Sequence, residues 1–517
     1  MPASLSTPDR RDIAALILLA FLALTATSAM AWFVTERIPH LEDEMTYLFQ
    51  ARTYAEGALW VPAPSGPFFT PFVVDVDGRW IGKYPVGWPA VLAQGERWGL
   101  GWLVNPLLAT LTILLIYLLS RDLFDRQVGL LAGLLALSSP FFLIQSSSYM
   151  SHSAALLWVT AMTWAFVHAE GLRREGQTGQ WWAALAGLML GMLAMTRSLT
   201  AIGIVLPFLG WLALEALRQP RQIPAIVATY VPMGLITILV AAVQPLYLTI
   251  VTGSPNTNLY TMIWEYDRIG FGPDIGRSGH TLEQALTTAG LDLGLWASEL
   301  FGLPHTSWLI LLVGLVALWR RSSNVERLQH VSLLVLPFIT LVGVHLAYWV
   351  GAQVYGPRYY YEAHSSLAII GALGLVGLGQ LLAKVIQRVR PMEEAARERL
   401  RAALPFVLCG LVLLVNLTTY LPGRLDDWHG LYGIVRAPID QLETLRQSDE
   451  LLVLVRGGRW FQYAALFSLN SPWFDGEVIV AHDNDPRRTA ALRALLLDRE
   501  TWFYSEGQFT REPAPYN

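Results

Sequence analysis

The sequence is poor in charge and in cysteine. Asp, Glu, Lys and Arg make up only 15% of the 517 residues, whereas hydrophobic residues make up 54%. A soluble domain carries about a quarter charged residues, so this composition excludes an ordinary soluble enzyme and a disordered chain. The net charge of −4 provides no basic field for nucleic acid. The single cysteine, Cys409, excludes an intramolecular disulfide and a cysteine-rich zinc site.

The few charges are unevenly distributed along the chain. Residues 421–517 hold 24 charged residues, which is the proportion of a soluble domain, and the first 420 residues hold 52. We therefore predict two domains. Residues 1–420 would form a multi-pass membrane domain, and residues 421–517 a small soluble one.

Long apolar stretches define the predicted membrane helices. A spanning helix needs roughly 20 apolar residues, and about eleven stretches qualify. A count of ten or twelve also fits, because the fifth and sixth stretches are joined closely around Arg197. The stretches are 13–34, 101–120, 128–146, 150–169, 181–197, 199–217, 223–251, 303–319, 331–350, 364–386 and 403–421.

The Lys and Arg residues between these stretches indicate the orientation. With a cytoplasmic N-terminus, the cytoplasmic segments carry 17 of them and the opposite side carries nine before the tail. Because positive residues favour the cytoplasmic side, we expect a cytoplasmic N-terminus and an extracytoplasmic C-terminal domain in the cell membrane. A cleaved signal peptide ending near Ala29-Met30-Ala31 is the alternative.

Two long outer loops, 35–100 and 252–302, are expected to carry function. Residues 42–57 suit a helix lying along the membrane surface, and 252–280 are irregular. The tail suits an α/β unit with strands at 451–456, 478–482 and 501–505 and helices at 459–469 and 486–497. The predicted fold class is thus an all-α membrane domain with a small C-terminal α/β domain.

Three consecutive acids, Glu42, Asp43 and Glu44, follow the first predicted span. A carboxylate held close to the membrane can act as a base toward a hydroxyl group. Adjacent like charges also raise the pKa of a carboxyl group. The alternative is an acidic turn that caps a helix N-terminus.

Two outer segments have cations beside aromatic residues, Lys83 next to Tyr84 and Arg358 next to Tyr359. A lysine at the headgroup level suits a lipid phosphate, and an arginine can bind phosphate through two parallel hydrogen bonds. The alternatives are a lysine that only reaches toward the interface and an arginine that only anchors an aromatic belt.

Arg197 and His152 fall at the outer ends of predicted helices. An arginine at membrane depth usually faces a cavity or a partner, whereas a lone histidine is more often structural. On the predicted topology, Asp43, Lys83 and Arg358 lie on the same side as these two residues. This convergence is what an active site at the membrane surface requires.

The pattern resembles the GT-C superfamily of polyprenyl-phosphate-sugar glycosyltransferases. It is most similar to the branch of protein mannosyltransferases and the lipid A aminoarabinose transferase, glycosyltransferase family 39. The resemblance rests on the acidic run followed by Tyr47 and Ala51-Arg52, on Gly82-Lys83-Tyr84-Pro85, and on Gly356-Pro357-Arg358-Tyr359. Two departures are His152, where relatives often have a second Asp, and Tyr84 between the lysine and the proline.

The resemblance implies an inverting glycosyltransferase. A sugar would move from a polyprenyl phosphate to a hydroxyl of a glycolipid, a cell-wall glycan or a protein. Asp43 with Glu44 would be catalytic. The substrate-binding residues would be Lys83, Tyr84, His152, Arg197, Arg358 and Tyr359. No cofactor is expected, because the donor has a single phosphate.

Three other functions stay open. The first is a multi-pass transporter or lipid flippase, whose typical signs are internal repeats and charges within the spans. The second is a receptor or assembly scaffold whose tail binds a partner. The third is an enzyme dependent on Mg²⁺ or Mn²⁺, for which the ligands would be His40, Glu42, Asp43, Glu44 and His152.

Overall fold

The computed structural model describes residues 8–64, 66, 68, 70–351, 354–390, 392–457 and 459–513. The chain is mainly helical, as predicted. The helices are α1 Arg10–Phe33, α2 Glu42–Ala55, α3 Gly87–Glu96, α4 Gly101–Leu123, α5 Arg126–Ser138, α6 Pro140–Ser147, α7 His152–Arg174, α8 Gln180–Thr196, α9 Ser198–Arg218, α10 Ile223–Ala241, α11 Val243–Thr252, α12 Leu259–Ile263, α13 Leu282–Glu299, α14 Ser307–Arg321, α15 Asn324–His330, α16 Leu336–His345, α17 His364–Val389, α18 Glu394–Val415, α19 Leu421–Trp428, α20 Ala437–Leu445, α21 Ala464–Phe467 and α22 Pro486–Leu495.

Seven helical segments in the described part of the chain are long and apolar enough to cross a membrane. The pair α5 and α6 gives an eighth if it is a single broken span, bent by 66°. The break has a local cause. Pro140 has no amide hydrogen to continue the helix, and the Ser139 hydroxyl accepts a hydrogen bond from the amide of Phe142 and starts a new one.

The predicted number of eleven spans is higher than this count, although each predicted stretch coincides with helix. Helices α8 and α14 have 17 and 15 residues, which is below the roughly 20 needed to cross a bilayer upright. The predicted stretch 150–169, which lies in α7, is not among the seven either, whereas 223–251 falls within one counted segment, Pro220–Thr252. The all-α membrane fold stands with fewer full-length spans.

A small antiparallel sheet in the first outer loop was absent from the prediction. Its strands are β1 Val61–Pro62, β2 Val73–Val76 and β3 Arg79–Gly82, in the order β1-β3-β2. Strands β2 and β3 are joined by Asp77-Gly78, both with positive φ (51° and 79°). An Asp-Gly pair is a strong signal for this two-residue hairpin turn, so the sequence did contain the information.

The C-terminal unit is the predicted α/β unit. Strands β4 Leu451–Arg456, β5 Val478–His482 and β6 Glu500–Ser505 run parallel in the order β5-β4-β6, and β7 Gln508–Thr510 adds an antiparallel edge. Helix α22 follows the N-cap residue Asp485, whose side chain accepts hydrogen bonds from two backbone amides. The predicted helix 459–469 is observed as two short turns, Trp460–Gln462 and α21.

One hydrophobic cluster joins the two parts of the chain. Ile38 and Met45, which flank the start of α2, are buried together with Val453, Val455 and Val480 of the tail sheet. The boundary at residue 420 remains a prediction. The core of the tail, however, is completed by residues from the first outer loop.

Candidate functional site

The site is built around Asp43 in the first turn of α2. The Asp43 carboxylate has a different partner on each oxygen. The Tyr84 hydroxyl donates to Oδ1, and Nη2 of Arg358 lies 3.2 Å from Oδ2. The side chain keeps 20% of its surface exposed, so it can still meet a substrate.

Glu44 lies in the same turn but outside this group of contacts. Its carboxylate is buried and accepts hydrogen bonds from the amides of His40 (2.7 Å), Leu41 (3.0 Å) and Tyr149 (2.8 Å). Burial raises the pKa of Glu44 to about 7, against the effect of these amides. Glu44 thus connects the residues that precede α2 to Tyr149, which follows α6. The structure does not bring Glu44 to the partners of Asp43.

Lys83 follows strand β3 and is enclosed by aromatic rings. Its Nζ lies 3.7 Å from the ring centre of Phe72, 4.9 Å from that of Tyr260 and 5.0 Å from that of Trp264. A carboxylate oxygen of Asp267 lies 4.0 Å away, and only 5% of the lysine side chain is exposed. Burial lowers the pKa of Lys83, and the charges of Asp43 and Asp267 oppose this shift.

Tyr84 connects the lysine to α2. Its ring packs on that of Tyr47, with centroids 4.4 Å apart, and its carbonyl accepts a hydrogen bond from Gln50 (3.0 Å). Burial and the nearby charge of Asp43 raise the pKa of Tyr84, so the phenol stays protonated and donates. The hairpin therefore presents Lys83 and Tyr84 to one face of α2.

Arg197 and His152 form a second group with a residue that the sequence analysis missed, Glu362. The Arg197 Nε lies 3.0 Å from the Glu362 carboxylate and its Nη1 lies 3.3 Å from Nε2 of His152. His152 Nδ1 is 3.4 Å from the same carboxylate. All three side chains are largely buried, and the Glu362 carboxyl group is the acidic partner of Arg197.

Tyr359 joins the two groups. The guanidinium carbon of Arg197 lies 5.7 Å from the centre of the Tyr359 ring, and that of Arg358 lies 5.8 Å from it. Tyr47, whose ring packs on Tyr84, also shares a 3.2 Å hydrogen bond with Ser151, next to His152. The predicted residues other than Glu44 thus form one continuous region.

One cation of the site, Arg358, lacks full hydrogen bonding. Nε and Nη1 of Arg358 are buried and have no hydrogen-bond partner within the described ranges. An unpaired buried donor is costly, and guanidinium donors match the geometry of phosphate oxygens. Arg358, Lys83 and Arg197 together suit an anion with several oxygens.

Some residues of the site were not predicted from the sequence. Glu362 lies four residues after Arg358, and an acid in an otherwise aromatic stretch was the available signal. Asp267, Tyr260 and Trp264 come from a distant irregular loop, so nothing local linked them to Lys83.

The residues predicted as alternative metal ligands do not share one centre. Asp43 faces a guanidinium and a phenol, Glu44 faces backbone amides, and His152 lies against Arg197. Among the described residues, no group of three or more His, Cys, Asp or Glu side chains is placed to hold a metal ion.

Solved structures share the fold of nearly the whole chain. The oligosaccharyltransferase of Archaeoglobus fulgidus matches with a TM-score of 0.55 and 14% identity, over 92% of this chain and 65% of that protein. ArnT from Cupriavidus metallidurans, in a structure bound to undecaprenyl phosphate, matches with a TM-score of 0.56 and 13% identity, over 95% of this chain and 92% of ArnT. The chain has a GT-C fold.

The sequence comparisons agree with the GT-C fold but cover less of the chain. Residues 92–247 match the family model described as dolichyl-phosphate-mannose-protein mannosyltransferase. No curated protein sequence matches the chain.

A further structure, archaeal AglB from Archaeoglobus fulgidus in complex with an inhibitory peptide and a dolichol-phosphate, has a TM-score of 0.53 at 12% identity over 96% of this chain and 69% of AglB. The GT-C resemblance is confirmed as a fold, and the chain is a multi-pass membrane protein.

This GT-C chain spans about two thirds of the length of the archaeal oligosaccharyltransferase and nearly all of ArnT. Identities of 12–14% show the fold alone.

Proposed function

We propose that the protein is an integral membrane glycosyltransferase that moves a sugar from a polyprenyl phosphate to a hydroxyl acceptor at the outer face of the cytoplasmic membrane. The observation that carries the proposal is the contact of Asp43 with both the Tyr84 hydroxyl and the Arg358 guanidinium. This contact places a candidate base beside a candidate phosphate-binding group. The undecaprenyl phosphate in the ArnT structure and the dolichol-phosphate in the AglB structure support this class of donor.

The reaction is a single displacement at the anomeric carbon. The acceptor oxygen forms a bond to that carbon, and the bond from carbon to the phosphate oxygen breaks with its electron pair. The acceptor proton passes to Asp43, and polyprenyl phosphate leaves. Attack from the face opposite the phosphate inverts the anomeric configuration. Tyr84 and Arg358 hold the Asp43 carboxylate while leaving one lone pair on each oxygen to accept the proton.

The cations of the site stabilise the leaving group. Negative charge grows on the phosphate oxygens as the sugar departs, and preorganised donors are worth most where such charge develops. Arg358 has two buried donors without partners in the described part of the structure. Arg197 and Lys83 add charge nearby. Because the proposed mechanism uses these three cations to bind the phosphate, it needs no metal ion.

Replacing Lys83 by Ala should weaken the use of the donor. Because the ammonium binds phosphate in this mechanism, we expect the apparent KM for the donor to rise by about 10-fold or more, since removing a charge-assisted hydrogen bond costs roughly 1.5–3 kcal/mol. The saturated rate should fall less. Steady-state kinetics with varied donor measures both quantities, and an unchanged donor KM would contradict the role of Lys83.

Replacing Asp267 by Asn should tighten phosphate binding. The Asp267 carboxylate and a donor phosphate are both anions that compete for the ammonium of Lys83, and the carboxylate now lies 4.0 Å from it. We expect the affinity for undecaprenyl phosphate to rise about 3- to 10-fold, and titration in nanodiscs measures it. Asp274→Asn is the matched control in the same loop, where the side chain is exposed. A loss of affinity in D267N alone would mean that Asp267 holds Lys83 in place instead.

The proposed function is tested by transfer of a radiolabel. The purified protein in nanodiscs is given a panel of polyprenyl-phosphate sugars, with isolated membranes as acceptor. Transfer from one donor supports the proposal and identifies the sugar. If the folded protein consumes none of the donors, the proposal fails, and a liposome flux assay would then test transport.

A further inference from the structure

We infer that the C-terminal unit positions the two elements that carry Asp43 and Lys83, and that Arg52, Met45 and Phe474 are positioning residues for the reaction. The kinetic effects expected from this inference rest on the proposed function. The contacts that carry it lie on the side of α2 away from Tyr84.

Helix α2 has two working faces. Asp43, Tyr47 and Gln50 follow a spacing of four and three residues, so they lie on one face, and all three contact Tyr84. Met45 and Arg52 are seven residues apart and share a different face. One face of α2 therefore contacts the site, and the other face is available for contacts with the rest of the chain.

The tail holds this second face. Met45 is buried in the cluster formed by the tail sheet. Nη1 of Arg52 donates to the carbonyls of Ser468 (2.6 Å) and Asn470 (3.2 Å), and its Nε donates to Glu96 (2.9 Å). Arg52 thereby fixes α2 to the tail and to α3 at the same time.

The tail also touches the hairpin that ends at Lys83. The ring of Phe474 packs against that of Trp80 in β3, with centroids 5.9 Å apart. A further contact fixes the approach to α2, where the amide of Arg436 donates to Glu36 (2.8 Å). One unit thus contacts the segments on both sides of Asp43 and the strand before Lys83, which sets the distance between base and cation.

These contacts matter because a small displacement of a reacting group lowers the reaction rate strongly. A displacement of about 1 Å at a reacting group costs on the order of 100-fold in rate. The base must reach the acceptor while Lys83 and Arg358 hold the phosphate. A tail that only added stability would not change the rate of each folded molecule.

The test is Arg52→Gln in the full chain. Amide hydrogen exchange across residues 44–52 should accelerate at least about 10-fold. Turnover per folded molecule at saturating donor should fall about 10- to 100-fold. The affinity for undecaprenyl phosphate should change less than about 3-fold, because no phosphate donor is removed. Arg52→Lys, which keeps one donor toward the tail, should recover part of the turnover.

Arg499→Gln is the matched control. Arg499 donates to the carbonyls of Gly476 (2.8 Å) and Glu477 (2.9 Å), so its loss removes similar hydrogen bonds within the tail alone. We expect α2 exchange and turnover to stay within about 2-fold of the wild type, as for a change distant from the site. If R52Q does not fold, Met45→Ala makes the same comparison.

Two results would overturn the inference. One is unchanged exchange of α2 in R52Q, and the other is an equal loss of turnover in R52Q and R499Q. The proposed function is judged separately, by the activity of the wild type. If the wild type transferred no sugar, the exchange of α2 in Met45→Ala, whose side chain is buried in the tail cluster, would still decide whether the tail holds this helix.

Discussion

Asp43→Asn is expected to lower sugar transfer by at least about 10³-fold. The substitution keeps the size of the side chain and removes the group that accepts the acceptor proton. General base catalysis alone contributes roughly 10²- to 10⁴-fold. The variant also weakens the contacts with Tyr84 and Arg358 that orient the carboxylate. Radiolabel transfer per folded molecule, with the melting temperature as a check of folding, measures the effect.

The affinity of D43N for polyprenyl phosphate should not fall. The substitution removes a negative charge 3.2 Å from Arg358, so phosphate binding should be unchanged or tighter. Asp77→Asn is the matched control, because Asp77 is exposed with φ of 51° in a turn that favours Asn as well as Asp. Retention of full transfer by D43N would remove Asp43 from the mechanism, and a loss of donor binding would assign it to the donor site instead.

Arg358→Gln is expected to have the second largest effect, a loss of about 10²- to 10³-fold in kcat/KM, as for the removal of one donor from a site of developing charge. Arg358 has a double role, because one nitrogen holds Asp43 and two buried nitrogens are without partners in the described ranges. Both the donor KM and the saturated rate should therefore worsen, and steady-state kinetics measures both.

Arg358→Lys separates charge from geometry. Lysine keeps the charge but cannot bind Asp43 and a phosphate with a fixed fork of donors. We expect R358K to recover less than about a tenth of the kcat/KM that R358Q loses, because each charge-assisted hydrogen bond that is not restored lowers the rate further. Arg97→Gln is the control, because Arg97 is exposed in the first outer loop and donates only to a backbone carbonyl in the described structure. Full activity of R358Q would exclude Arg358 from phosphate binding.

The membrane fold was predictable because helices that cross a bilayer require long apolar stretches in the sequence. Long apolar stretches must be helical in a bilayer, and the eleven predicted stretches are mainly helical. The breaks were harder to place. The interruption between α5 and α6 depends on a single Ser139-Pro140 pair, and α8 is too short for a full crossing.

The placement of Asp43, Lys83, His152, Arg197 and Arg358 on one side of the membrane was predicted from topology. Residues at the outer ends of spans must lie on one side of the membrane, although their distances are unknown from sequence. The structure supplies those distances. Their roles in catalysis remain predictions, which the variants above test.

The rest of the site could not be derived from local patterns. The Asp267 carboxylate reaches Lys83 from a loop that is far away in sequence. The contact between Glu362 and Arg197 joins segments that are far apart in sequence. Glu44 shows the opposite error. Its neighbour Asp43 is partly exposed, whereas Glu44 turns inward to cap its own helix, a distinction that the acidic run does not reveal.

The most direct test of the central claim counts both products of one reaction. Wild type and D43N in nanodiscs receive the same doubly labelled donor in the presence of a chelator, and sugar in the acceptor and free polyprenyl phosphate are both measured. We expect the wild type to release one polyprenyl phosphate for each sugar transferred, and D43N to yield neither product. Equal yields from the two proteins, or no transfer by the folded wild type from any donor, would contradict it.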